Sequence, residues 1–596
     1  MIESMKHEHF YVSGICFAPE IGIYGGWVAH EGSVAGNQST SGKCNDIGLL
    51  FSGECFPPLL SLDYSVPAGQ RNAERAVAWL SGLYNKVGDR FVGQMNGLFS
   101  GLLIDRKRKR ALLFNDRYGI ERIYYYEKDG ITFFASEAKA LLQVLPELRE
   151  FDDEGVAQFL TYGCTLGGRT LFRGLRFLPG GSLYTFEEGV CIQKQQYFRP
   201  EDWESQSELA ERDFELEFIE KFRQILPQYL SSDSQIGISL TGGLDTRMIM
   251  ACIPPWAAKL VSYTFAGLTG KTLDARLAAD VAQVCGIEHH ILRVGADFLS
   301  NYGHYVDRTV FVTDGCAGAL GAHEIYLNAQ ARHLSQVRLT GNFGSEVLRS
   351  MSTFKPTGLS VELFDSHFRH LLSSLIQSIS SNKVHPVTFA AFQEIPWNLF
   401  GTLAAGRSQL TFRTPYLDNE IVALAFRAPV NARQSPKSAL RLIKDSNPEL
   451  GKIQTDRGLV WGKRDPHHMM RRLFSEATFK LDYFHKEGLP HWLSPLDPLI
   501  GSFAKFGLLG LHKFLPYRRW FRQEVATYIS DVLNDAHTRR LPYWDSRFLR
   551  TVVTDHVRGR KNYIREIHAV LTLEAVERLF MRSPSERPLQ AAKHDV

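Results

Sequence analysis

The sequence predicts an α/β protein in which an antiparallel, strand-rich N-terminal part precedes a parallel sheet and a mainly helical C-terminal part. Between residues 10 and 200, short apolar runs at 111–115, 123–126 and 131–135 are separated by turn-like segments, which is typical of antiparallel sheet. Farther along, runs at 236–240, 261–265, 289–294 and 337–340 alternate with helical stretches, which is typical of a doubly wound parallel sheet. Residues 360–596 have a mainly helical pattern.

Two domains are expected, because 596 residues exceed what one hydrophobic core usually supports. The polar stretch 200–206 predicts a linker, so we place the domains at 1–205 and 206–596. An amphipathic helix follows the linker, since Phe214, Phe218 and Phe222 recur on one helical face. Pro227 is expected to kink or end this helix.

Composition excludes several classes of protein. The net charge is +4, which is too small to indicate nucleic acid as a partner. The eight cysteines form no Cys-x-x-Cys pair, so neither a zinc site nor a disulfide framework is indicated, and a reduced cytoplasm suits them best. No run of about eighteen apolar residues is present, so no integral membrane span is expected.

The stretch 235–247 reads Gln-Ile-Gly-Ile-Ser-Leu-Thr-Gly-Gly-Leu-Asp-Thr-Arg and predicts a strand, a glycine turn and a helix. This geometry lets backbone N–H groups at a helix N-terminus face a phosphate. The hydroxyls of Thr241 and Thr246 are further donors, and Asp245 supplies a carboxylate suited to Mg²⁺. No Gly-Lys-Ser/Thr follows, which excludes a Walker loop. A tight turn whose glycines serve packing is the alternative interpretation.

Several motifs, taken in chain order, resemble those of glutamine-dependent asparagine synthetases. The family's Leu-Ser-Gly-Gly-Leu-Asp-Ser-Ser loop is matched by Leu-Thr-Gly-Gly-Leu-Asp-Thr-Arg at 240–247. Further matching blocks are Asn-Asp-Arg-Tyr-Gly-Ile-Glu-Arg-Ile-Tyr at 115–124, Ser-Glu-Ala-Lys-Ala-Leu at 136–141, Leu-Pro-Gly-Gly at 178–181, Phe-Arg-Thr-Pro-Tyr-Leu-Asp at 412–418 and Lys-Ser-Ala-Leu-Arg at 437–441. The chain is therefore similar to this family over most of its length, as a divergent relative.

The resemblance implies an N-terminal amidotransferase domain of the Ntn-hydrolase type, an α+β sandwich, followed by a synthetase domain of the ATP-pyrophosphatase (PP-loop) type. It implies an ATP-dependent, AMP-forming ligase with ATP and Mg²⁺ as cofactors. A carboxylate would attack the α-phosphate of ATP, and an amine would then displace AMP from the acyl-adenylate. The residues implied to bind ATP and pyrophosphate are Leu240, Thr241, Gly242, Gly243, Asp245, Thr246, Gly341 and Asn342.

The same resemblance implies metal positions at Asp245, Ser345 and Glu346 and catalytic positions at Lys437, Asn342 and Glu346. Lys437 would stabilise negative charge on a phosphate or on the acyl transition state, a role suited to a point charge. A solvated lysine at a helix start is the alternative for Lys437.

The N-terminal part departs from the family at its nucleophile. The family's Cys-Gly-Ile begins the mature chain, whereas the matching Ser-Gly-Ile at 13–15 lies inside this chain, where the serine nitrogen cannot act as a general base. The family's Asn-Gly-Glu is Ser-Gly-Glu here, and the Asp that binds the glutamine amino group aligns with an asparagine. These changes predict a vestigial glutaminase that comprises Ser13, Ser52, Gly53, Glu54 and Asn72. Cleavage before Ser13 is the alternative, because it would expose a serine nucleophile.

The synthetase part departs from the family in a second loop. The family's Ser-Gly-Glu-Gly-Ser-Asp-Glu corresponds to Thr-Gly-Asn-Phe-Gly-Ser-Glu at 340–346. The first Glu, the family's base for the amine, becomes Asn342, which cannot accept a proton at neutral pH. The Asp that ligates a second Mg²⁺ becomes Ser345, with Glu346 as a substitute.

These departures predict a substrate other than free aspartate, although homology alone names asparagine biosynthesis. We expect a small-molecule, glycan or peptide carboxylate of polysaccharide or natural-product biosynthesis, with ammonia or a substrate amine as the donor. Two alternatives stay open: a non-catalytic member that acts as a binding or regulatory module, and an intramolecular cyclase of β-lactam or peptide type. A homodimer is also considered.

Three further features of the sequence give weaker indications of function. The segment 500–522 is apolar with basic ends, which fits docking on a membrane surface or a partner, although a buried pair of helices is favoured. Asp274 lies where the family has a nucleotide-proximal element, and a capped helix start is the alternative. The histidine pairs at 289–290 and 467–468 indicate surface or hydrogen-bonding roles rather than a metal site, because neighbours on a strand face opposite sides.

Overall fold

The computed structural model describes residues 1–33, 46–56, 72–232, 234–257, 260–268, 272–379, 384–462, 466–483 and 515–582. Its strands are β1 Tyr11–Ala18, β2 Ile23–His30, β3 Ile47–Cys55, β4 Gly97–Asp105, β5 Arg110–Asn115, β6 Tyr124–Lys128, β7 Ile131–Ala135, β8 Arg176–Phe177, β9 Ser182–Glu187, β10 Val190–Gln196, β11 Ile236–Ser239, β12 Val261–Ala266, β13 Glu288–Arg293, β14 Val337–Thr340 and β15 Thr411–Arg413.

The α-helices of the described residues are α1 Asn72–Val87, α2 Ala138–Val144, α3 Asp153–Tyr162, α4 Glu201–Glu204, α5 Glu211–Tyr229, α6 Leu244–Ala251, α7 Leu273–Val284, α8 Ala296–Ser300, α9 Tyr302–Val312, α10 His323–Arg332, α11 Gly344–Arg349, α12 Ser366–Ile379, α13 Pro386–Phe389, α14 Phe400–Arg407, α15 Asn419–Phe426, α16 Val430–Arg433, α17 Lys437–Ser446, α18 Pro448–Lys452, α19 Pro466–Tyr483, α20 Tyr517–Arg522, α21 Ala526–Asn534, α22 Ala536–Arg540, α23 Ser546–Val557 and α24 Ile564–Val576. Two π-helical segments span Ala390–Leu399 and Glu577–Met581. Short 3₁₀ helices span Glu3–Met5, Pro19–Ile21, Gly88–Gln94, Pro146–Leu148, Pro255–Ala257, Ala319–Gly321, Val361–Leu363 and Pro415–Leu417.

The N-terminal strands form antiparallel sheets, as the sequence predicts. The largest has the order β10-β9-β5-β4-β3, and β1-β2 and β7-β6-β8 form two smaller sheets. The runs predicted at 111–115, 123–126 and 131–135 correspond to β5, β6 and β7. The polar stretch 200–206, predicted as a linker, contains the short helix α4.

The later strands form a parallel sheet of order β13-β12-β11-β14-β15. The four predicted runs become β11, β12, β13 and β14, so the predicted α/β class is confirmed. The chain leaves β11 for β12 and β13 on one side and then continues with β14 on the other side. This reversal leaves a crevice at the carboxyl ends of β11 and β14, where open sheets of this kind bind ligands.

Helix α5 covers one face of the parallel sheet through its apolar stripe. Phe214, Phe218 and Phe222 are buried in the same cluster as Ile238 of β11 and Leu339 of β14. Burial of each ring stabilises the fold by about 1.5–3 kcal/mol. Pro227, predicted to kink or end this helix, does not end it, because the helix continues for two more residues to Tyr229.

The N-terminal part and the C-terminal helices share one hydrophobic core. Leu141 of α2 and Leu160 of α3 belong to the same buried cluster as Leu573 of α24. Buried Lys139 donates to Asp314 Oδ1 over 3.1 Å, which adds an ion pair between the two parts. The two predicted domains therefore pack together, and the boundary at 205/206 stays a prediction.

The described end of the segment 500–522 belongs to this core, because Tyr517, Trp520 and Phe521 of α20 are buried in it. Residues 500–514, which carry most of the predicted docking surface, lie outside the described residues. Across the described ranges, no helix combines the length and the apolar character that a membrane span requires.

Candidate functional site

A cleft of about 440 Å³ lies at the switch point between β11 and β14. Two loops form it: 240–246, which follows β11, and 340–346, which follows β14. The predicted site residues that line the cleft are Leu240, Thr241, Gly243, Asp245, Thr246, Gly341, Asn342, Ser345 and Glu346. The structure thus brings together residues that are about a hundred positions apart in the sequence.

Asp274 of α7 supports the 240–246 loop. The N–H of Gly242 donates to Asp274 Oδ1 over 2.5 Å, and a Cβ on this glycine would approach Leu277 and Asp274 to 3.0–3.1 Å. Burial raises the pKa of Asp274 to about 6. Asp274 also lines the cleft, while Thr272 caps its helix through Ala275, so both predicted interpretations have a structural basis.

Gly243 is the N-cap of α6, so the 240–246 loop includes the start of this helix. The first N–H groups of a helix have no partner inside the helix and carry partial positive charge. The hydroxyls of Thr241 and Thr246 lie 3.1 Å apart in the same loop. The loop therefore presents several donors to an anion in the cleft.

Two glycines allow the 340–346 loop to pack directly on the 240–246 loop. A Cβ on Gly341 would lie 2.6 Å from the nitrogen of Thr246, and a Cβ on Gly344 would lie 2.7 Å from Cγ of Asp245. Those distances are shorter than any ordinary contact, so only glycine fits at both positions.

Asp245 is the central carboxylate of the cleft. Its Oδ2 accepts hydrogen bonds from Ser345 Oγ at 2.8 Å and from Arg349 Nη2 at 3.0 Å, whereas its Oδ1 is buried with no hydrogen-bond partner. Burial raises the pKa of Asp245, and Arg349 and Ser345 oppose that shift.

An unbonded carboxylate oxygen fits Mg²⁺, which binds proteins through one or two carboxylates together with water and substrate phosphates. No cluster of three or more histidine, cysteine, aspartate or glutamate side chains in the described ranges could hold a metal without such a substrate. The arrangement therefore fits one Mg²⁺ between Asp245 and phosphate oxygens.

Glu346 and Asn342 are predicted catalytic residues in the cleft. Burial, together with the carboxylates of Asp245 and Glu394, raises the pKa of Glu346 to about 7, so this group can exchange a proton near neutral pH. The side chain of Asn342 accepts a hydrogen bond from Thr340 Oγ1 at 3.0 Å and cannot take a proton. Of the two, only Glu346 can act as a base.

Phe343 has a backbone conformation that favours glycine. Its φ is +76°, and its side chain is buried in the wall that separates the cleft from a second cavity. A bulky residue in the left-handed region costs about 1–3 kcal/mol. The family's loop has glycine here, so the chain keeps the conformation of glycine while it places a ring between the two cavities.

The strain at Phe343 predicts an unusual order of stability. We expect Phe343→Ala to destabilise the fold by about 3–5 kcal/mol, because the ring is lost and the strain remains. Phe343→Gly should be about 1 kcal/mol more stable than the alanine variant, because glycine adopts positive φ freely. Urea unfolding of both variants measures this difference.

Phe364 provides the control, because it is buried with a φ of −94°. At this position the glycine variant should be the less stable of the two. The same order at Phe343 would contradict the assignment of strain there.

The second cavity, of about 210 Å³, lies between the N-terminal part and the parallel-sheet part. Its lining includes Ser52, Gly53 and Glu54 from one part and Arg407 and Arg413 from the other. Arg413 Nε and Nη2 each donate to one oxygen of Glu54 at 2.7 Å. Ser52 Oγ donates to Glu121, which forms an ion pair with Arg407. The two carboxylates, Glu54 and Glu121, are therefore both bonded to guanidinium groups.

Ser13 and Asn72, the other predicted glutaminase residues, do not complete this cavity. Ser13 lies within β1, opposite Val28 of β2, and does not line the cavity. Asn72 begins α1, and its side chain lies outside the described residues. The structure thus brings together three of the five predicted residues.

The residues that precede Ser13 are part of the fold. Met5 is buried in the main core, His7 Nε2 lies 3.0 Å from both oxygens of Glu137, and Glu8 forms an ion pair with Arg308. Cleavage before Ser13 would cut β1 after its second residue and separate these contacts from the rest of the strand.

Two family models match the chain in adjacent regions. One, described as a glutamine amidotransferase domain, matches residues 32–198, and one described as asparagine synthase matches residues 217–393. The chain is a divergent member of the asparagine synthetase family. It is 25% identical over 240 residues to asparagine synthetase (glutamine-hydrolyzing) 2 of Oryza sativa subsp. japonica. The matched stretch covers 38% of this chain and 35% of that protein. It is 26% identical over 223 residues to asparagine synthetase B (glutamine-hydrolyzing) of Escherichia coli (strain K12), and this match covers 35% of this chain and 34% of that protein.

The matched stretch spans about a third of the length of these two asparagine synthetases. A solved glutamine phosphoribosylpyrophosphate amidotransferase from B. subtilis is similar over 42% of this chain and 47% of its own, with 11% identity and a TM-score of 0.17. That score is too low to support an argument.

In this asparagine synthetase relative, Lys437 lies away from the cleft. Its Nζ is 2.7 Å from Glu211 and 3.1 Å from Glu215, and 52% of its side chain is exposed. It does not line the cleft as described. Its role toward phosphate therefore stays a prediction without a supporting contact.

Two arginines next to the cleft were not predicted from the sequence. Arg349 follows Ser345 by four residues, a spacing that places both on one helical face and offered a signal. Buried Arg247 stands where the family's loop has serine; it donates to the carbonyl oxygens of Gly242, Ile453 and Gln454 and so attaches that segment to the loop. The arginine in place of the family's serine was the only local feature of the sequence that pointed to this residue.

Proposed function

We propose that the protein is an ATP-dependent, AMP-forming ligase that converts a carboxylate to an amide through an acyl-adenylate. The observation that carries the proposal is Asp245, a buried carboxylate with an unbonded oxygen in the first turn of α6. That helix end attracts phosphate, whereas a carboxylate repels it. A carboxylate in this position is expected where a divalent cation lies between it and a phosphate.

The chain's own residues would orient the nucleotide and stabilise the leaving group. Backbone N–H groups of the 240–246 loop and the hydroxyls of Thr241 and Thr246 would donate to the pyrophosphate. Asp245 would hold Mg²⁺, which neutralises charge on the phosphates. The substrate carboxylate bonds to the α-phosphorus and pyrophosphate leaves; the amine nitrogen then bonds to the acyl carbon, AMP leaves, and Glu346 takes the amine's proton.

The amine donor is proposed to be ammonia or a substrate amine rather than glutamine. Ser13 lies within a strand, where it has no free amine as a base. The Asp that binds the glutamine amino group in the family aligns with Asn72, and both oxygens of Glu54, a carboxylate of the predicted glutaminase, are bonded to Arg413. Both observations support a vestigial glutaminase.

The proposed substrates are carboxylates on a small molecule, a glycan or a peptide, in polysaccharide or natural-product biosynthesis. Free aspartate ranks lower, because the cleft has Asn342 where the family has its base. A cytoplasmic location and a homodimer belong to the same proposal.

The test is pyrophosphate release with MgATP, a panel of carboxylates, and either ammonium chloride or glutamine. We expect at least one carboxylate to release pyrophosphate with ammonium, and glutamine to give no more than the background rate. If no carboxylate of the panel raises pyrophosphate release above background, the ligase proposal fails. Glutamine-dependent glutamate formation would sink the proposed loss of the glutaminase, and intact mass of the active protein would then test for cleavage before Ser13.

Lys437→Ala is expected to leave the rate of pyrophosphate release nearly unchanged. Its side chain is half exposed and contacts Glu211 and Glu215, and exposed substitutions usually change free energies by about 0.5 kcal/mol or less. Initial rates with saturating MgATP measure the effect. A loss of tenfold or more would restore the predicted catalytic role.

A non-catalytic binding module is the second candidate, because Asn342 and Ser345 replace a base and a metal ligand of the family. In that case nucleotide binds without pyrophosphate release for any carboxylate. An intramolecular cyclase would instead release pyrophosphate with a substrate that carries its own amine, and ammonium would add nothing to the rate.

A further inference from the structure

Asp245, Ser345 and Arg349 form a closed hydrogen-bonded triad beside the cleft. Arg349 Nη2 donates to Asp245 Oδ2 at 3.0 Å and to Ser345 Oγ at 2.6 Å, and Ser345 Oγ donates to Asp245 Oδ2 at 2.8 Å. The side chains of Arg349 and Asp245 are 13% and 15% exposed. The guanidinium is therefore held against Ser345, the position that the resemblance gives to a second metal ligand.

We infer that Arg349 replaces a second divalent cation by fixed charge, so that the cleft binds its nucleotide with a single divalent cation. The inference rests on the proposed ATP chemistry. Asp245 Oδ2 is occupied by two donors, so only its Oδ1 is without a hydrogen bond. Glu346, the other carboxylate predicted at a metal position, takes the amine's proton in the proposed chemistry and is not counted as a metal ligand. Ser345 is neutral and already accepts from Arg349, which makes it a poor ligand for a hard cation.

Formal charges support the replacement. Two carboxylates and one divalent cation together are neutral, and so are one carboxylate, one hydroxyl and one guanidinium. A guanidinium keeps its charge at all working pH values. A neutral Ser345 together with the guanidinium of Arg349 thus gives the charge balance that an acidic ligand and a second cation would give.

Arg349 is a positioning residue, because it does not line the cleft and acts through Asp245. Its pair with Oδ2 fixes the carboxylate so that Oδ1 stays available. The readout that separates this role from a merely structural one is the number of divalent cations bound.

The test counts Mn²⁺ ions bound by the full-length protein with α,β-methylene-ATP, which cannot release pyrophosphate. Free Mn²⁺ is followed by electron paramagnetic resonance at saturating analogue. We expect one Mn²⁺ per bound analogue in the wild type and in Arg349→Lys, which keeps the charge. The double variant Ser345→Asp/Arg349→Gln restores the acidic ligand and removes the guanidinium, and it should bind two.

Two ions in the wild type would overturn the inference, and this count needs no variant. One ion in a double variant that binds the analogue and keeps the wild-type thermal midpoint would overturn it as well. If the analogue does not bind the wild type at all, the proposed function fails, and the inference fails with it. Analogue binding with two ions refutes only the inference.

Discussion

Replacement of Asp245 by asparagine is expected to lower the rate of pyrophosphate release by at least about 100-fold, the loss typical when one stabilising group of a transition state is removed. The carboxylate supplies the unbonded oxygen that would hold Mg²⁺. Asparagine has nearly the same shape and keeps a side-chain oxygen that can accept hydrogen bonds from Arg349 and Ser345, but it has no charge, so the cation loses its ligand. Initial rates at saturating carboxylate and amine measure the effect.

The loss should also depend on Mg²⁺. At high Mg²⁺ the asparagine variant should recover part of its rate, because added cation offsets weaker binding by mass action. Asp280→Asn is the matched control, since Asp280 of α7 is exposed and does not line the cleft. Equal rates for the wild type and Asp245→Asn would contradict the assignment of the cleft, provided that both have the same thermal midpoint.

The parallel sheet could be predicted because its central strands carry their signal locally. β11 and β14 are buried along their whole length, and apart from Arg338 their residues are apolar or weakly polar, with turn residues at the strand ends. β15 has three residues, too few for a period to be recognised. The helix α5 was predicted for the same local reason, because its aromatic residues recur every four positions.

The candidate site could be predicted only in part. The 240–246 loop combines glycines, hydroxyls and a carboxylate within seven residues, so its chemistry can be read in sequence. The Arg413–Glu54 pair has no local signal, because 359 positions separate its members. For Lys437 the local motif predicts a place at the site, but the position of its helix brings the side chain to two glutamates of α5.

Arg413→Ala is expected to destabilise the fold by about 3–5 kcal/mol, the usual effect when one partner of a buried ion pair is removed. Arg413 is 7% exposed in its side chain and Glu54 is 16% exposed. Arg413 also donates from Nη1 to the carbonyl oxygens of Tyr229 and Ser231, at 3.0 and 2.8 Å. The alanine variant leaves all of these acceptors without their donor. Urea unfolding measures the free energy of unfolding without added salt, which would screen the charges.

Arg427→Ala provides the control, because Arg427 and Glu217 form an exposed pair at 3.3 Å that should contribute less than about 1 kcal/mol.

A double-mutant cycle with Glu54→Leu, Arg413→Met and the double variant isolates the coupling energy between Glu54 and Arg413. Each single variant should be strongly destabilised, since each leaves one charge buried without its partner. The double variant should recover most of the loss, because apolar side chains of similar size remove both charges. If the effects of the two single variants simply add, Glu54 and Arg413 are not coupled across the cavity, and the expected cost of an unpaired buried charge is wrong.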